Sequence, residues 1–152
     1  VVHEVVAVVV DDVADLAGNV GHPGVIGSIR VDTAAPAVTR LEIGGGLTVR
    51  SAKPGFNQFT IDTEADAGVG DGVRSTEVRF VGQPVSCTGP AGQRHCDVTV
   101  VDSMPEGEGV VQVLATDLAG NTAVATTSVR LDFTAPTVLE PTFLHAIASA
   151  FR

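Results

Sequence analysis

A five-residue segment occurs twice in the chain, and its spacing restricts the fold more than any other feature of the sequence. Residues 15–19 and 117–121 both read Asp-Leu-Ala-Gly-Asn. Downstream of each copy, residues 31–36 (Val-Asp-Thr-Ala-Ala-Pro) are echoed by residues 131–136 (Leu-Asp-Phe-Thr-Ala-Pro). A fixed period is the mark of a repeated structural unit, and a period of about 100 residues matches one β-sandwich domain. The sequence therefore predicts tandem modules.

The residues between the repeats have the composition of short strands. Val, Ile and Thr dominate, and turn residues recur every eight to twelve positions or so. Residues alternate in character along several segments, which indicates one buried and one solvated face. No stretch before residue 140 has helical periodicity. Besides a short strand ahead of Cys87, we predict strands near residues 37–43, 56–63, 75–81, 96–101, 110–116 and 123–131.

Two prolines mark the expected module boundaries. Pro36 and Pro136 are the last residues of the repeated segments, and proline, which cannot donate to a sheet ladder, belongs at the start of a strand or in a linker. Residues 37–133 then form one complete module. Residues 1–36 hold the last two strands of a preceding module, and residues 134–152 hold a linker and either the start of a further module or a short helix.

Two strands are only marginally stable by themselves in water. We therefore expect residues 1–36 to dock on the middle module, to pair with another chain, or to be a cut fragment. The sequence has no initial Met and no positively charged leader. It is thus expected to belong to a longer chain, with any export signal outside this segment.

The repeated motifs resemble those of a known class of module. Asp-Leu-Ala-Gly-Asn, then a strand, then Asp-(x)-Thr-Ala-Pro is similar to the bacterial immunoglobulin-like domains found in tandem in large secreted and surface-attached proteins. The Asp- and Gly-rich stretch at residues 66–73 resembles the turn ahead of a Glu-x-Arg-type strand in those domains. The resemblance covers the middle module and both junctions. It departs in residues 1–14, because Asp11 and Asp12 stand where the other repeat has Val113 and Leu114.

This resemblance implies a fold class and a role. The fold is an all-β, immunoglobulin-like antiparallel β-sandwich, with one complete module and the last strands of a preceding one. The role is a stalk, spacer or adhesion module in an extracellular or cell-surface bacterial protein. Its expected partners are the neighbouring modules of the same chain. The alternative is a non-catalytic accessory module of a secreted hydrolase, which would bind carbohydrate.

Charge and composition exclude several other partners. The formal net charge is −9, which argues against nucleic acid and against anionic membrane surfaces, since both attract Lys and Arg. No run approaches the roughly 18 apolar residues that span a bilayer, so we expect no membrane insertion. Trp and Tyr are absent, which weakens the carbohydrate-binding alternative because sugar sites usually rely on exposed aromatic faces.

The chain has two cysteines, Cys87 and Cys96, separated by a turn-forming segment. A closely spaced pair in a chain of this composition predicts a disulfide across a hairpin and an oxidising compartment. The rival interpretation is a zinc site that uses both cysteines and His95. It is disfavoured because two cysteines do not supply the four ligands of a structural zinc site.

The acidic residues suggest a calcium site. In an immunoglobulin sandwich, the loop after the second strand and the last hairpin lie at the pole that receives the incoming linker. Oxygen ligands converging there suit Ca²⁺, which takes about six to eight of them. The candidate ligands are Asp32, Glu64, Asp66, Asp71, Asp117 and Asn121. Alternatively, these carboxylates form a solvated acidic loop, and the Asp-Leu-Ala-Gly-Asn segment is a tight turn capped by its own aspartate.

Catalytic signatures are absent from the sequence. The four histidines are scattered, and neither a Gly-x-Ser-x-Gly nor a phosphate-binding glycine loop leads into a helix. Lys53 stands between a Ser-Ala pair and Pro54-Gly55, a turn setting that favours an exposed lysine over an intramolecular isopeptide bond. We therefore expect a protein that is not an enzyme.

Overall fold

The structure, a computed structural model, describes residues 4–10, 14–21, 24–68 and 72–138. The described residues contain strands and turns and no helix. The strands are β1 (Glu4–Val10), β2 (Gly24–Val31), β3 (Ala37–Gly44), β4 (Val49–Arg50), β5 (Gln58–Asp66), β6 (Val73–Phe80), β7 (Gln83–Pro84), β8 (Cys87–Thr88), β9 (Gln93–Thr99), β10 (Gly107–Asp117) and β11 (Thr122–Leu131).

Strands β3 to β11 form the two sheets of a sandwich. One sheet has the order β3-β5-β9-β8 and the other the order β4-β11-β10-β6-β7. In the lettering of immunoglobulin domains these sheets are A-B-E-D and A′-G-F-C-C′. The predicted all-β, immunoglobulin-like sandwich is confirmed. Within the described residues, the departure from antiparallel pairing is the short parallel contact of β4 with β11.

The core lies between the inner faces of the two sheets. Along β10, Gly109, Val111, Val113 and Ala115 are buried while the residues between them face outward, as the two-residue period of a strand requires. The same alternation buries a row of side chains on the other strands: Phe59, Ile61, Val78, Phe80, Cys96, Val98, Val129 and Leu131. Burying each large aliphatic or aromatic side chain stabilises the fold by about 1.5–3 kcal/mol.

A pair of phenylalanines joins the sheets at the centre of this core. Phe59 of β5 and Phe80 of β6 meet edge to face, with ring centroids 5.2 Å apart and planes at 78°. Gly109 makes room for the pair, because a Cβ there would lie 2.7 Å from Cε2 of Phe80. The missing side chain of Gly109 therefore sets how closely β10 approaches the aromatic pair.

The predicted strands are present, most of them with ends shifted by a few residues, and the short edge strand β4 was missed. β9 begins at Gln93, ahead of the predicted start at residue 96, and β10 begins at Gly107. The missed strand, β4, has two residues. A segment this short carries no periodic signal, and β4 is a strand because it pairs with β11. The predicted short strand before Cys87 corresponds to β7.

Strand β4 is held in place by a buried arginine. Arg50 is 1 % exposed. Its Nη2 donates to the Gly44 carbonyl oxygen at 3.3 Å, and its guanidinium lies over the Phe59 ring, 5.8 Å from the centroid. A cation on an aromatic face is stabilised by the ring quadrupole. These contacts tie the β3–β5 connection to the core.

The amino-terminal strands stand apart from the two sheets. β1 and β2 pair with each other, antiparallel, in a separate two-stranded sheet. The assignment of residues 1–36 to a preceding module remains a prediction. The departure at Asp11 and Asp12 lies outside the described residues, as does the alternative helix in residues 141–152.

The predicted disulfide is confirmed. Cys87 and Cys96 are bonded, and they are directly opposite each other in the pairing of β8 with β9. Cys96 is fully buried in the core. Because both sulfur atoms are used in this bond, the alternative zinc site built on the two cysteines and His95 is wrong.

We predict the stability that this disulfide contributes. In the chain-entropy treatment, closing a ring of about ten residues stabilises the folded state by roughly 2.7 kcal/mol. The double variant Cys87→Ala/Cys96→Ala should therefore lose about this free energy of unfolding in urea titration. The reduced wild-type chain is the control, because it loses the cross-link but keeps the sulfur atoms of the core. Equal unfolding midpoints for oxidised and reduced wild type would contradict the prediction.

Candidate functional site

The two Asp-Leu-Ala-Gly-Asn segments form the same turn. In each copy the aspartate amide donates to the asparagine carbonyl oxygen at 3.0 Å, and the glycine amide donates back to the aspartate carbonyl oxygen. The glycines, Gly18 and Gly120, have φ of 82° and 94°, a region that glycine reaches without steric cost. The predicted turn chemistry is confirmed, and glycine is the residue that takes the positive φ.

The aspartate carboxylate closes each turn. Oδ1 of Asp117 accepts from the Asn121 amide at 2.8 Å, and Oδ2 accepts from Nδ2 of Asn121 at 3.0 Å. In the first copy, Asp15 and Asn19 make the same two contacts at 2.9 and 2.8 Å. An aspartate oxygen that accepts from nearby backbone amides is typical of tight turns. The conserved geometry of both copies shows that the motif encodes a rigid hairpin.

Asp117 differs from Asp15 in its surroundings. The Asp117 side chain is 1 % exposed, whereas residues 14–21 are all exposed. Burial alone would raise the pKa of Asp117, but the hydrogen bonds from Asn121, Gly120 and Ala119 outweigh it, and the pKa lies below its ordinary value of 3.8. Hydrogen bonds to the ionised form have this effect. The ionised carboxylate is therefore part of the folded hairpin.

Three segments meet at the pole of the sandwich that carries this hairpin. Nδ2 of Asn121 donates to the Asp32 carbonyl oxygen in the incoming linker at 3.1 Å. The Leu118 amide donates to the Gly72 carbonyl oxygen in the β5–β6 loop at 3.1 Å. The linker is itself turned by Asp32, whose Oδ1 accepts from the Ala34 amide at 3.0 Å. The linker, the loop and the last hairpin therefore converge as the sequence predicts.

The acidic candidates on β5 are engaged elsewhere. Oε1 of Glu64 lies 3.2 Å from Nη1 of Arg40, its neighbour on β3, in an exposed ion pair. Oδ1 of Asp66 accepts from the Gly68 amide at 2.8 Å, so Asp66 shapes the loop that follows β5. The structure thus brings Asp32, Asp117 and Asn121 together and gives Glu64 and Asp66 local partners of their own.

The calcium site remains a prediction. Among the residues that the structure describes, no three side chains of His, Cys, Asp or Glu are grouped so as to hold a metal ion. The remaining candidate, Asp71, lies outside the described residues. The described residues at this pole show hydrogen bonds that connect the last hairpin to the incoming linker and to the β5–β6 loop.

A charged cleft on the outer face of the first sheet was not predicted from the sequence. Nδ1 of His95 on β9 lies 2.7 Å from Oδ1 of Asp62 on β5, and Oδ1 of Asp97 lies 3.8 Å from Nε2. The neighbouring Arg40 and Arg94 complete a cleft of about 290 Å³. The alternation along β5 and β9 could have indicated this pair, because it places Asp62 and His95 side by side on the solvated face of the sheet.

The opposite pole, where β11 ends, has an apolar cleft that was also not predicted from the sequence. Leu47, Val49 and Phe56 are 46 %, 41 % and 54 % exposed. With Asp132 and Thr134 of the outgoing linker they line a cleft of about 370 Å³. Exposed apolar groups that lie together mark interaction surfaces more often than single exposed residues do.

No protein-family model matches this chain, and no curated protein matches it. Its structural class therefore rests on its own strand order. Among the described residues, none form a helix of the length and hydrophobicity needed to cross a bilayer. The strand order defines the chain's middle part as an immunoglobulin-like β-sandwich module. At the pole that receives the incoming linker, the last hairpin is hydrogen-bonded to the linker and to the β5–β6 loop.

The two copies of the turn provide a matched test of burial. Asp117→Asn places an amide donor where the carboxylate accepts from Asn121, so it should lower the melting temperature of the sandwich. Asp15→Asn makes the same change in an exposed turn and should leave that transition unchanged. The Asp117 contribution is fully present above about pH 3.8 and is lost as the pH falls through the lower pKa of the folded state. Equal melting temperatures for both variants would refute the argument.

The pKa of His95 should be raised by its partner. Nδ1 of protonated His95 donates to the Asp62 carboxylate, and this hydrogen bond, with the negative charge of Asp62, holds the pKa of His95 above the ordinary 6.5. In NMR titration, Asp62→Asn should return it towards 6.5, and Asp97→Asn, at the longer distance, should change it less. Because folding raises this pKa, the pair stabilises fully below about pH 6.5 and is lost as the pH rises through the folded-state pKa. A His95 pKa at or below 6.5 in the wild type would contradict the prediction.

Proposed function

We propose that the chain is a segment of a tandem array of immunoglobulin-like modules that acts as a spacer or stalk outside the cell. In this role the segment adds length and stiffness to the array and carries out no catalysis. It holds any adhesive partner at a distance from the point where the array is attached. Its partners are the neighbouring modules of the same array.

One observation carries this proposal: the chain enters and leaves the sandwich at opposite poles. The incoming linker is bound at Asp32 by Asn121, in the turn from which β11 begins. β11 then runs the length of the module and ends at Leu131, beside the outgoing linker. Modules connected in this way are arranged end to end, because the next module starts at the pole where the last one ends. The opposite geometry, with both termini at one pole, would fold the array back on itself.

The linkers also support a repeated joint. Oδ1 of Asp132 accepts from the Thr134 amide at 3.1 Å, as Oδ1 of Asp32 does from Ala34. The outgoing linker is anchored as well, because the Asp132 amide donates to the Arg50 carbonyl oxygen at 2.9 Å. Turned and anchored linkers hold the direction of the chain between modules, which favours a stiff array over loosely tethered beads.

The covalent chemistry and charge suit a location outside the cytoplasm. The Cys87–Cys96 disulfide persists in oxidising compartments and is rare in reducing ones. The net charge of −9 favours a solvated surface. Both features support an extracellular or cell-surface location.

The alternative, an accessory module of a secreted hydrolase, has weaker support. A carbohydrate-binding face usually needs a platform of exposed aromatic rings. The sequence has neither Trp nor Tyr, and among the described residues Phe56 is the exposed aromatic side chain. The gene sequence on either side separates the two functions: further copies of the repeat favour the stalk, and an adjacent catalytic domain favours the accessory module.

The stalk proposal predicts how length grows with copy number. A duplicated chain, residues 1–136 followed directly by residues 37–152, contains two copies of the sandwich. The longest strand has 11 residues. At about 3.3 Å per residue, one module joined end to end, with its linker, should therefore add roughly 35–40 Å to the maximum dimension measured by small-angle X-ray scattering.

A matched control tests stiffness in the same experiment. A flexible Gly/Ser segment inserted after Pro136 of the first copy should broaden the distribution of interatomic distances, and the directly joined chain should give the narrower distribution. Side-by-side packing of the two sandwiches, with little increase in the maximum dimension, would rule out the stalk.

A further inference from the structure

One residue of the repeated turn has no role within the turn. Asp, Gly and Asn of the segment make the hairpin, but Leu118 is 57 % exposed at its tip and Leu16 is fully exposed in the other copy. Turn chemistry favours polar or small residues at such a position, and an exposed leucine gains nothing from water. The leucine side chain is therefore available for a contact outside its own hairpin.

The opposite pole has the complementary feature. The apolar cleft of Leu47, Val49 and Phe56 lies beside the outgoing linker, and Asp132 lines it. Asp132 occupies the position in the repeat that Asp32 occupies at the incoming linker, and it makes the same turn. At Asp32, the observed neighbour is the hairpin of the module that follows.

We propose that successive modules are joined by insertion of the hairpin leucine into this apolar cleft. The Asp-Leu-Ala-Gly-Asn hairpin of a following module binds the Asp132 carbonyl oxygen through its asparagine, as Asn121 binds Asp32. The leucine beside it then enters the cleft of Leu47, Val49 and Phe56. The occupant of the cleft is thus a second copy of this module, and the joint rests on the tandem array proposed above.

The observed joint explains why that occupant fits. Nδ2 of Asn121 reaches the linker carbonyl only because Asp117 holds the asparagine rigid, so the hairpin meets the linker in one orientation. Leu118 is three residues from Asn121 in the same turn and is carried with it. The Leu118 side chain is 57 % exposed in this chain and is therefore available to enter a cleft on a neighbouring module.

The duplicated chain tests the joint directly. In it, the hairpin of the second copy faces the cleft of the first copy, and the cleft of the second copy has no following module. Hydroxyl-radical labelling with mass spectrometry reads the exposure of Phe56, and an exposed Gln58→Asn change in the second copy separates the two peptides by mass. We expect labelling of Phe56 in the first copy to fall severalfold below that in the second.

Matched variants identify the cause of protection. Leu118→Ser in the second copy should restore labelling of Phe56 in the first, and Asn121→Ala should do the same. Val124→Ser in the second copy is the control, because Val124 has the same 57 % exposure but lies on β11. It should leave the protection intact. Of the four substituted sites, Gln58, Leu118 and Val124 are exposed, so these variants are expected to fold. Circular dichroism checks the folding of every variant, including Asn121→Ala.

The outcomes separate this joint from the stalk itself. Equal labelling of Phe56 in both copies, in a chain that scattering shows to be extended, overturns the leucine joint and leaves the stalk standing. A duplicated chain that packs side by side overturns the stalk, whatever the labelling. Protection that persists after Leu118→Ser also overturns the proposal, since another part of the following module would then cover the cleft.

Discussion

The contact between the inner faces of the two sheets is the constraint on which the rest of the structure depends. Phe59 and Phe80 meet edge to face between the sheets, and Gly109 gives β10 the room to pass close to them. Interiors pack at crystal-like density, so the separation of the sheets leaves little freedom. Within one sheet, the pairing of β6 with β10 then places the β5–β6 loop and the last hairpin side by side at one pole, where the Leu118 amide donates to the Gly72 carbonyl oxygen.

The proposed stalk depends on the geometry of the two poles. A sandwich whose first strand and last hairpin share a pole must release its chain at the other, because β11 runs the full length. The buried, ionised Asp117 then makes the hairpin rigid, and Asn121 transfers that rigidity to the incoming linker. Hydrogen bonds to a buried carboxylate hold a single geometry better than exposed ion pairs do. A stiff junction is what a stalk requires.

Much of the fold could be predicted because it depends on local pattern. The alternation of β5, β9 and β10 indicated strands, and the repeat period gave the size of the module. The Asp-Leu-Ala-Gly-Asn turn followed from residue chemistry alone, as did the pairing of the cysteines across a short hairpin. The short edge strand β4 could not be predicted, because two residues carry no period and its partner β11 is distant in sequence.

The sequence by itself determined the longer strands, the turns and the disulfide, since each depends on residues that are close along the chain, and the repeat was legible because two segments have nearly the same residues. Only the tertiary structure decided which polar groups meet. It paired Glu64 with Arg40 and Asp62 with His95, and it buried Asp117 while leaving Asp15 exposed in an identical turn. It also gathered Leu47, Val49 and Phe56 beside Asp132. The reason is physical: contacts across and between sheets depend on register and on the distance between the sheets, and neither is written in any single segment.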